Sequence, residues 1–125
     1  MQNPAPMEPD LLFVYGLLMR GESHCASLTG ATFVAPARSI PDYTLIDRGI
    51  SPGLLVGGET AVSGELYQVT GAQIERLDLF EEHPHVYRRA PIFLTEGRSA
   101  QAYFLVHPPA GAPIIAGGDW RRRRR

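Results

Sequence analysis

Residues 60–82 read TAVSGELYQVTGAQIERLDLFEE, and the fold class turns on how this stretch divides. Thr60 to Val69 has the composition and length of a strand. Thr70-Gly71-Ala72-Gln73 then matches a capping box, with Thr70 as N-cap and Gln73 reaching back to it. A strand therefore gives way to a helix within one residue. The helix continues as IERLDLFEE, and Pro84 stops it because the residue before a proline is pushed out of helical geometry.

Working outward, the same alternation of short apolar runs and turn residues continues. Leu11 to Tyr15 (LLFVY) is a continuous apolar run, as expected of a strand buried on both faces, and Gly16 ends it. Glu22 to Leu28 is a short helix or turn. Ala31 to Ile40 and Asp42 to Arg48 read as two strands broken around Pro41, and Ile50 to Gly58 is turn-rich with a brief apolar stretch at Leu54 to Val56. Val86 to Glu96 and Ser99 to Val106 form a strand pair turning near Gly97, and Pro91 assigns the first of them to an edge or a bulge. Six or so short strands with one substantial helix predict an α+β domain: a small mixed β-barrel or curled sheet with flanking helices. We expect a flexible arm over residues 1–10, one domain over 11–120 and an arginine-rich tail over 121–125.

Composition narrows the function classes. All twelve basic residues are arginines, and five of them form Arg121 to Arg125. Residues 1–120 thus hold seven arginines against thirteen acids. An acidic body argues against a nucleic-acid-binding face. The tail itself reads as a solvated end, with RNA or an acidic partner as the alternative. Cys25 is the only cysteine, so no intrachain disulfide forms, which suits a reducing, cytoplasmic setting. MQNPAPMEPD lacks the basic and apolar regions of a signal peptide, and no apolar run is long enough to span a bilayer. No membrane partner is expected, and a chain of this size suits a monomer or weak homodimer.

One carboxylate stands out on the helix. At about 100° per residue, with Ile74 at zero, Leu77 falls near −60° and Phe80 near −120°, the core-facing arc. Glu81 falls at roughly −20°, inside that arc, and Glu82 at roughly 80°, outside it. An inward carboxylate is costly unless paired or protonated, and its raised pKa suits general acid/base work. The competing readings are a frayed helix end and an ion pair with Arg88 or Arg89. Upstream, a buried strand running into Gly16 presents successive N–H groups that can hold a carboxylate or an oxyanion. An ordinary strand-ending glycine is the alternative.

Phe13 to Gly21 (FVYGLLMRG), Val62 to Tyr67 (VSGELY) and Leu77 to Arg88 (LDLFEEHPHVYR) together resemble the gamma-glutamylcyclotransferase-like family in order and spacing. The likeness is to its FVYGTLKRG, VxGELY and LDxFExxPxxYxR segments, and it spans roughly residues 11–106. In length the chain is similar to the gamma-glutamylaminecyclotransferases and the butirosin-deprotecting cyclotransferase. The resemblance implies a cavity at the YGxL loop, with Tyr15, Gly16, Leu17 and Leu18 as the substrate-binding loop and Glu81 as the catalytic acid/base. It puts Tyr87 at the family's YxR tyrosine, lining the cavity or packed in the core. It implies release of 5-oxoproline from a small γ-glutamyl amine or peptide, with no metal and no cofactor. Leu17 stands where the family usually has Ser or Thr, which keeps the backbone donors and removes a hydroxyl. That change leaves a non-catalytic metabolite-binding module of the same fold as the alternative.

The remaining chemistry-bearing residues have plainer explanations. His83 and His85 flank Pro84 without a third ligand at suitable spacing and read as loop residues. His107 reads as a strand-end residue. Cys25 beside His24 does not make a nucleophile pair, since adjacent side chains rarely face each other. Trp120 can pack the C-terminus back onto the domain.

Overall fold

The computed structural model describes residues 11–123. The expected arm over residues 1–10 and the last two arginines lie outside the described residues. Seven strands and one α-helix run in the order β1 (Leu11–Val14), β2 (Thr32–Arg38), β3 (Tyr43–Asp47), β4 (Pro52–Val56), β5 (Ser63–Gln68), α1 (Gly71–Phe80), β6 (Tyr87–Phe93) and β7 (Ser99–Leu105). Cys25–Leu28 and Trp120–Arg122 are single 3-10 turns.

Five strands form one sheet in the order β2-β5-β1-β7-β6, and β3 pairs with β4 in a separate two-stranded ribbon. β1 lies at the centre, antiparallel to β5 and parallel to β7, and every one of its residues is buried. That is the environment its unbroken apolar sequence demands. The edge strands β2 and β6 carry Pro36 and Pro91, which donate no ladder hydrogen bond and are tolerated only at an edge or a bulge.

The expected β-barrel is corrected here. The two edges meet only at one corner, through a Ser39–Leu94 bridge and a hydrogen bond from the Ile40 N–H to the Phe93 carbonyl at 3.0 Å. No ladder joins β2 to β6, so the α+β class stands but the sheet is curled and open. The Ile50–Gly58 segment is also more regular than its turn residues suggest. Pro52 opens β4 opposite Asp47, and Gly53 is accommodated because a Cβ there would strike Leu105 at 2.6 Å. The ribbon thus lies on β7 through a glycine.

The start of the arginine run packs against the domain. Trp120 is 2% exposed, and Arg123 stacks on its ring at 3.3 Å while pairing with Asp47 at 3.7 Å. Arg121 pairs with Glu22 at 3.4 Å and Glu65 at 3.5 Å, and it donates to the Arg20 carbonyl. The first and third arginines of the run are therefore docked on the domain. A tryptophan has large apolar area to bury, and it draws its neighbours in with it.

Candidate active site

The helix ends as its residues require. Thr70 and Gln73 satisfy each other's backbone donors at 3.2 and 2.8 Å, completing the capping box. At the other end, the Glu82 N–H donates to the Leu79 carbonyl at 3.2 Å and the His83 N–H to the Asp78 carbonyl at 2.8 Å. These two bonds make a Schellman motif, with Glu82 in its left-handed position at φ 54. Helical geometry thus stops at Phe80, earlier than Pro84 alone would require, and Glu81 is the C-cap. Its φ of −85 and ψ of 0 continue the helical direction, so its side chain still points inward.

A cleft of about 280 Å³ opens where this C-cap meets the end of β1 and the β3–β4 turn. Glu81, Tyr15, Gly16, Leu17, Leu18 and Tyr87 all line it. The structure therefore brings together every residue singled out as catalytic or substrate-binding. Burial pushes the Glu81 pKa up to about 7, with the Arg48 charge opposing the rise. Among the described residues its carboxylate accepts no hydrogen bond and joins no ion pair. Arg89 is taken instead by Asp78, in a two-pronged bond at 3.0 and 3.1 Å. That removes Arg89 as a partner, and the frayed-end reading fails with it, since Glu81 is anchored by its N–H to Leu77 at 2.8 Å.

Facing Glu81, the loop after β1 turns tightly. The Met19 N–H bonds the Gly16 carbonyl at 3.1 Å, and the His24 N–H bonds the Leu17 carbonyl at 2.9 Å. The N–H groups of Gly16, Leu17 and Leu18 have no acceptor among the described residues. Gly16 and Leu18 are buried. Buried amides are nearly always paired, so a run of them without protein acceptors is unusual. Gly16 has a further reason to be glycine: a Cβ there would lie 2.5 Å from Pro52. Close packing of the ribbon on the loop excludes a side chain.

Tyrosines fasten these parts to one another. Tyr15 donates to the Tyr103 carbonyl at 2.6 Å, and Tyr87 donates to the Pro52 carbonyl at 2.8 Å. Tyr103 donates to Asp78 at 2.7 Å. Burial, then the charges of Tyr87 and Glu81, raises the Tyr15 pKa well above that of a free phenol. Burial also raises Tyr103, and its bond to Asp78 adds to the effect. Burial alone would raise Asp78, but hydrogen bonds from Arg89 and Tyr103 outweigh it and hold that carboxyl below its usual range. Asp78 is thus an anchor. Tyr87 belongs to the core and the cleft at once.

With this geometry, the comparisons with known proteins converge. The sequence matches the family described as "Gamma-glutamyl cyclotransferase, AIG2-like" over residues 12–122. The chain belongs to that family. It is 36% identical, over 90% of its length and 96% of the relative's, to a Vibrio cholerae protein provisionally named a gamma-glutamylcyclotransferase. It is 35% identical to the Homo sapiens gamma-glutamylaminecyclotransferase, over 83% of this chain and 73% of that one. The solution structure of the Escherichia coli protein ytfP superposes with a TM-score of 0.69 at 35% identity, covering 90% of this chain and 97% of that one. The cyclotransferase family relationship extends past the three motifs, to include Trp120 and the start of the arginine run.

Sequence reasoning missed four features of this cyclotransferase-family cleft. Arg48 and Pro52 reach it from the β3–β4 turn, Tyr103 from β7, and His24 packs edge-on against Phe80 at 5.2 Å to form one wall. The turn itself was signalled by Asp47-Arg48-Gly49, where the Gly49 N–H bonds the Asp47 carboxylate at 2.7 Å. Nothing local signalled which cleft it would enter. His83 accepts the Arg89 N–H on Nδ1 at 3.0 Å, a structural use that explains its position beside the helix end. Cys25 is exposed and free.

Proposed function

We propose that this protein is a γ-glutamyl cyclotransferase that releases 5-oxoproline from γ-glutamyl amines or peptides, with Glu81 as general acid/base. One observation carries the reading. An unpartnered, partly buried carboxylate and a loop with three unpaired amides line the same small cleft. A zwitterionic γ-glutamyl group offers an ammonium to the first and an oxygen to the second.

The reaction needs little from the protein beyond order. The Glu81 carboxylate takes a proton from the substrate's α-ammonium. The freed amine attacks the γ-carbonyl carbon, forming the ring C–N bond and a tetrahedral oxyanion. The oxyanion collapses and the bond to the leaving amine breaks as Glu81 returns the proton to that nitrogen. The second proton lost by the ring nitrogen passes through the regenerated Glu81 carboxylate to the released amine, giving 5-oxoproline and an ammonium. Atoms and charge balance with no further reactant. A carboxyl with a pKa near 7 is suited to both halves of this transfer. Holding the chain folded on itself contributes an orientation effect of up to roughly 7–11 kcal/mol. Leu17 supplies its N–H to the loop without the hydroxyl common at that position.

No helix among the described residues is long and apolar enough to cross a membrane. With an exposed free thiol at Cys25, a reducing cytoplasmic setting suits the chain. The test is incubation with a panel of γ-glutamyl amines and dipeptides, scoring 5-oxoproline by mass spectrometry. Release from at least one is expected. Binding of 5-oxoproline with no release from any would replace the enzyme with a metabolite-binding module.

A further inference from the structure

Arg48 has no part in the scheme above, yet it lines the same cleft. Six of the nine other described arginines form ion pairs: Arg20, Arg89, Arg98, Arg121, Arg122 and Arg123. Arg48 joins no ion pair among the described residues. Its guanidinium is nevertheless held in place. It donates to the Tyr87 hydroxyl at 2.8 Å and to the Ser51 hydroxyl at 3.3 Å. Tyr87 is itself fixed by its bond to the Pro52 carbonyl. Both bonds to Arg48 use one terminal nitrogen, so the other terminal nitrogen and Nε keep their donors open. The turn that carries Arg48 is closed by the Arg48 N–H bonding the Ser51 carbonyl at 3.0 Å. A pre-oriented guanidinium with an open edge is suited to a carboxylate, which it can meet with two parallel bonds.

We propose that Arg48 binds the α-carboxylate of the γ-glutamyl substrate. This rests on the cyclotransferase reading. Every γ-glutamyl group carries one ammonium and one carboxylate on the same carbon. The cleft offers one part-buried unpaired carboxylate, Glu81, and one unpaired guanidinium, while Glu82 lines it from an exposed position. The two protein charges are close enough for Arg48 to act on the Glu81 titration, yet they are not bonded to each other. Substrate zwitterion and site thus match sign for sign. With the carboxylate on Arg48, the amides of Gly16, Leu17 and Leu18 are left for the γ-carbonyl oxygen, where charge develops.

The experiment compares the wild-type protein, Arg48→Ala and Arg48→Lys on γ-glutamyl ethylamide and on its α-carboxamide counterpart. Calorimetric binding of 5-oxoproline and of 5-oxoproline amide is measured alongside. The wild-type protein should prefer the acid of each pair. Arg48→Ala should raise KM for the acid about ten- to a hundred-fold, change kcat little and leave the carboxamide almost unaffected. Arg48→Lys, which keeps charge but loses the fork, should fall between. Equal weakening of acid and amide in Arg48→Ala would show that Arg48 only props up Tyr87, and the assignment would fall. An Arg48→Ala variant with KM for the acid unchanged would overturn it as well. Wild-type protein that neither turns over nor binds any of the four would overturn the cyclotransferase reading itself.

Discussion

Two inward carboxylates, Glu65 and Glu81, divide the molecule into a part that is held and a part that is open. Glu65, on β5, is 5% exposed. It accepts the Arg20 N–H at 2.8 Å and the Tyr67 hydroxyl at 3.2 Å, and it pairs with Arg20 at 3.7 Å and Arg121 at 3.5 Å. Glu81 has an apolar wall, a cation in the same cleft that is not bonded to it, and no partner among the described residues. Glu65 is removed from bulk water and Glu81 is so in part, but only Glu65 is compensated. A compensated carboxylate ties the chain together: here it joins β5, the end of the YGxL loop and the docked tail. An uncompensated one costs stability and is retained where chemistry uses it.

The sharpest way to break this contrast is Glu81→Gln. Its turnover should drop about 10²–10⁴-fold, the usual contribution of general acid/base catalysis, because Gln keeps the shape and cannot carry the proton. Steady-state kinetics read this directly. Its stability should move the other way, and the sign depends on pH. The folded-state pKa of Glu81 is raised above the unfolded value of about 4.5, to about 7. The folded state therefore binds the proton more tightly, and the wild type loses stability as pH rises across that window. Thermal melts should show the two proteins nearly level at pH 4.5 and Glu81→Gln ahead at pH 8. A mutant that melts lower at every pH would mean Glu81 is a structural anchor like Glu65.

Glu65→Ala probes the other half. It should cost about 2–4 kcal/mol of stability by stripping the acceptor from a buried amide, a tyrosine and an arginine. Once folded, the variant should retain kcat within about tenfold, since nothing of Glu65 reaches the cleft. Denaturant melts followed by kinetics at low temperature separate the two effects.

Removing residues 121–125 should act through the same anchor more weakly. The loss of the Arg121 pairs and the Arg123–Trp120 stack predicts a destabilisation of about 1–2 kcal/mol. KM should rise a few-fold as the Arg20–Glu22 turn loosens. A truncated chain that melts and turns over like the parent would return the whole run to the solvated tail expected from composition.

Glu82 gives the smallest effect and tests the register. Glu82→Gln should change turnover only slightly. Glu82→Gly should raise stability by roughly 0.5–1 kcal/mol, because Glu82 occupies a left-handed position that costs a side chain more than a glycine. Loss of turnover in Glu82→Gln with activity kept in Glu81→Gln would invert the assignment of the two acids.

Local chemistry in the chain was enough to specify the elements that bear the catalytic candidates. A capping box is satisfied within four residues, and a continuous apolar run has to be buried wherever it lies, so α1 and β1 were legible as written. The direction of Glu81 was legible for the same reason, because a helix carries its periodicity one residue past its last hydrogen-bonded turn. What ended α1, however, was a Schellman pattern with Glu82 left-handed, which no glycine announced.

Where segments distant in sequence come to meet was settled only by the tertiary structure. Whether the sheet closes depends on the approach of Ser39 and Leu94, and the tail's docking depends on a carboxylate in β5 some fifty residues earlier. Arg48 reaches the cleft because Gly53 lets the ribbon lie on Leu105 and Gly16 lets Pro52 settle on the loop. Each of these is a contact between surfaces that the chain brings together only on folding. Periodicity and capping are properties of neighbours along the backbone and can be read in order; pairing, docking and charge placement across a cleft are properties of neighbours in space.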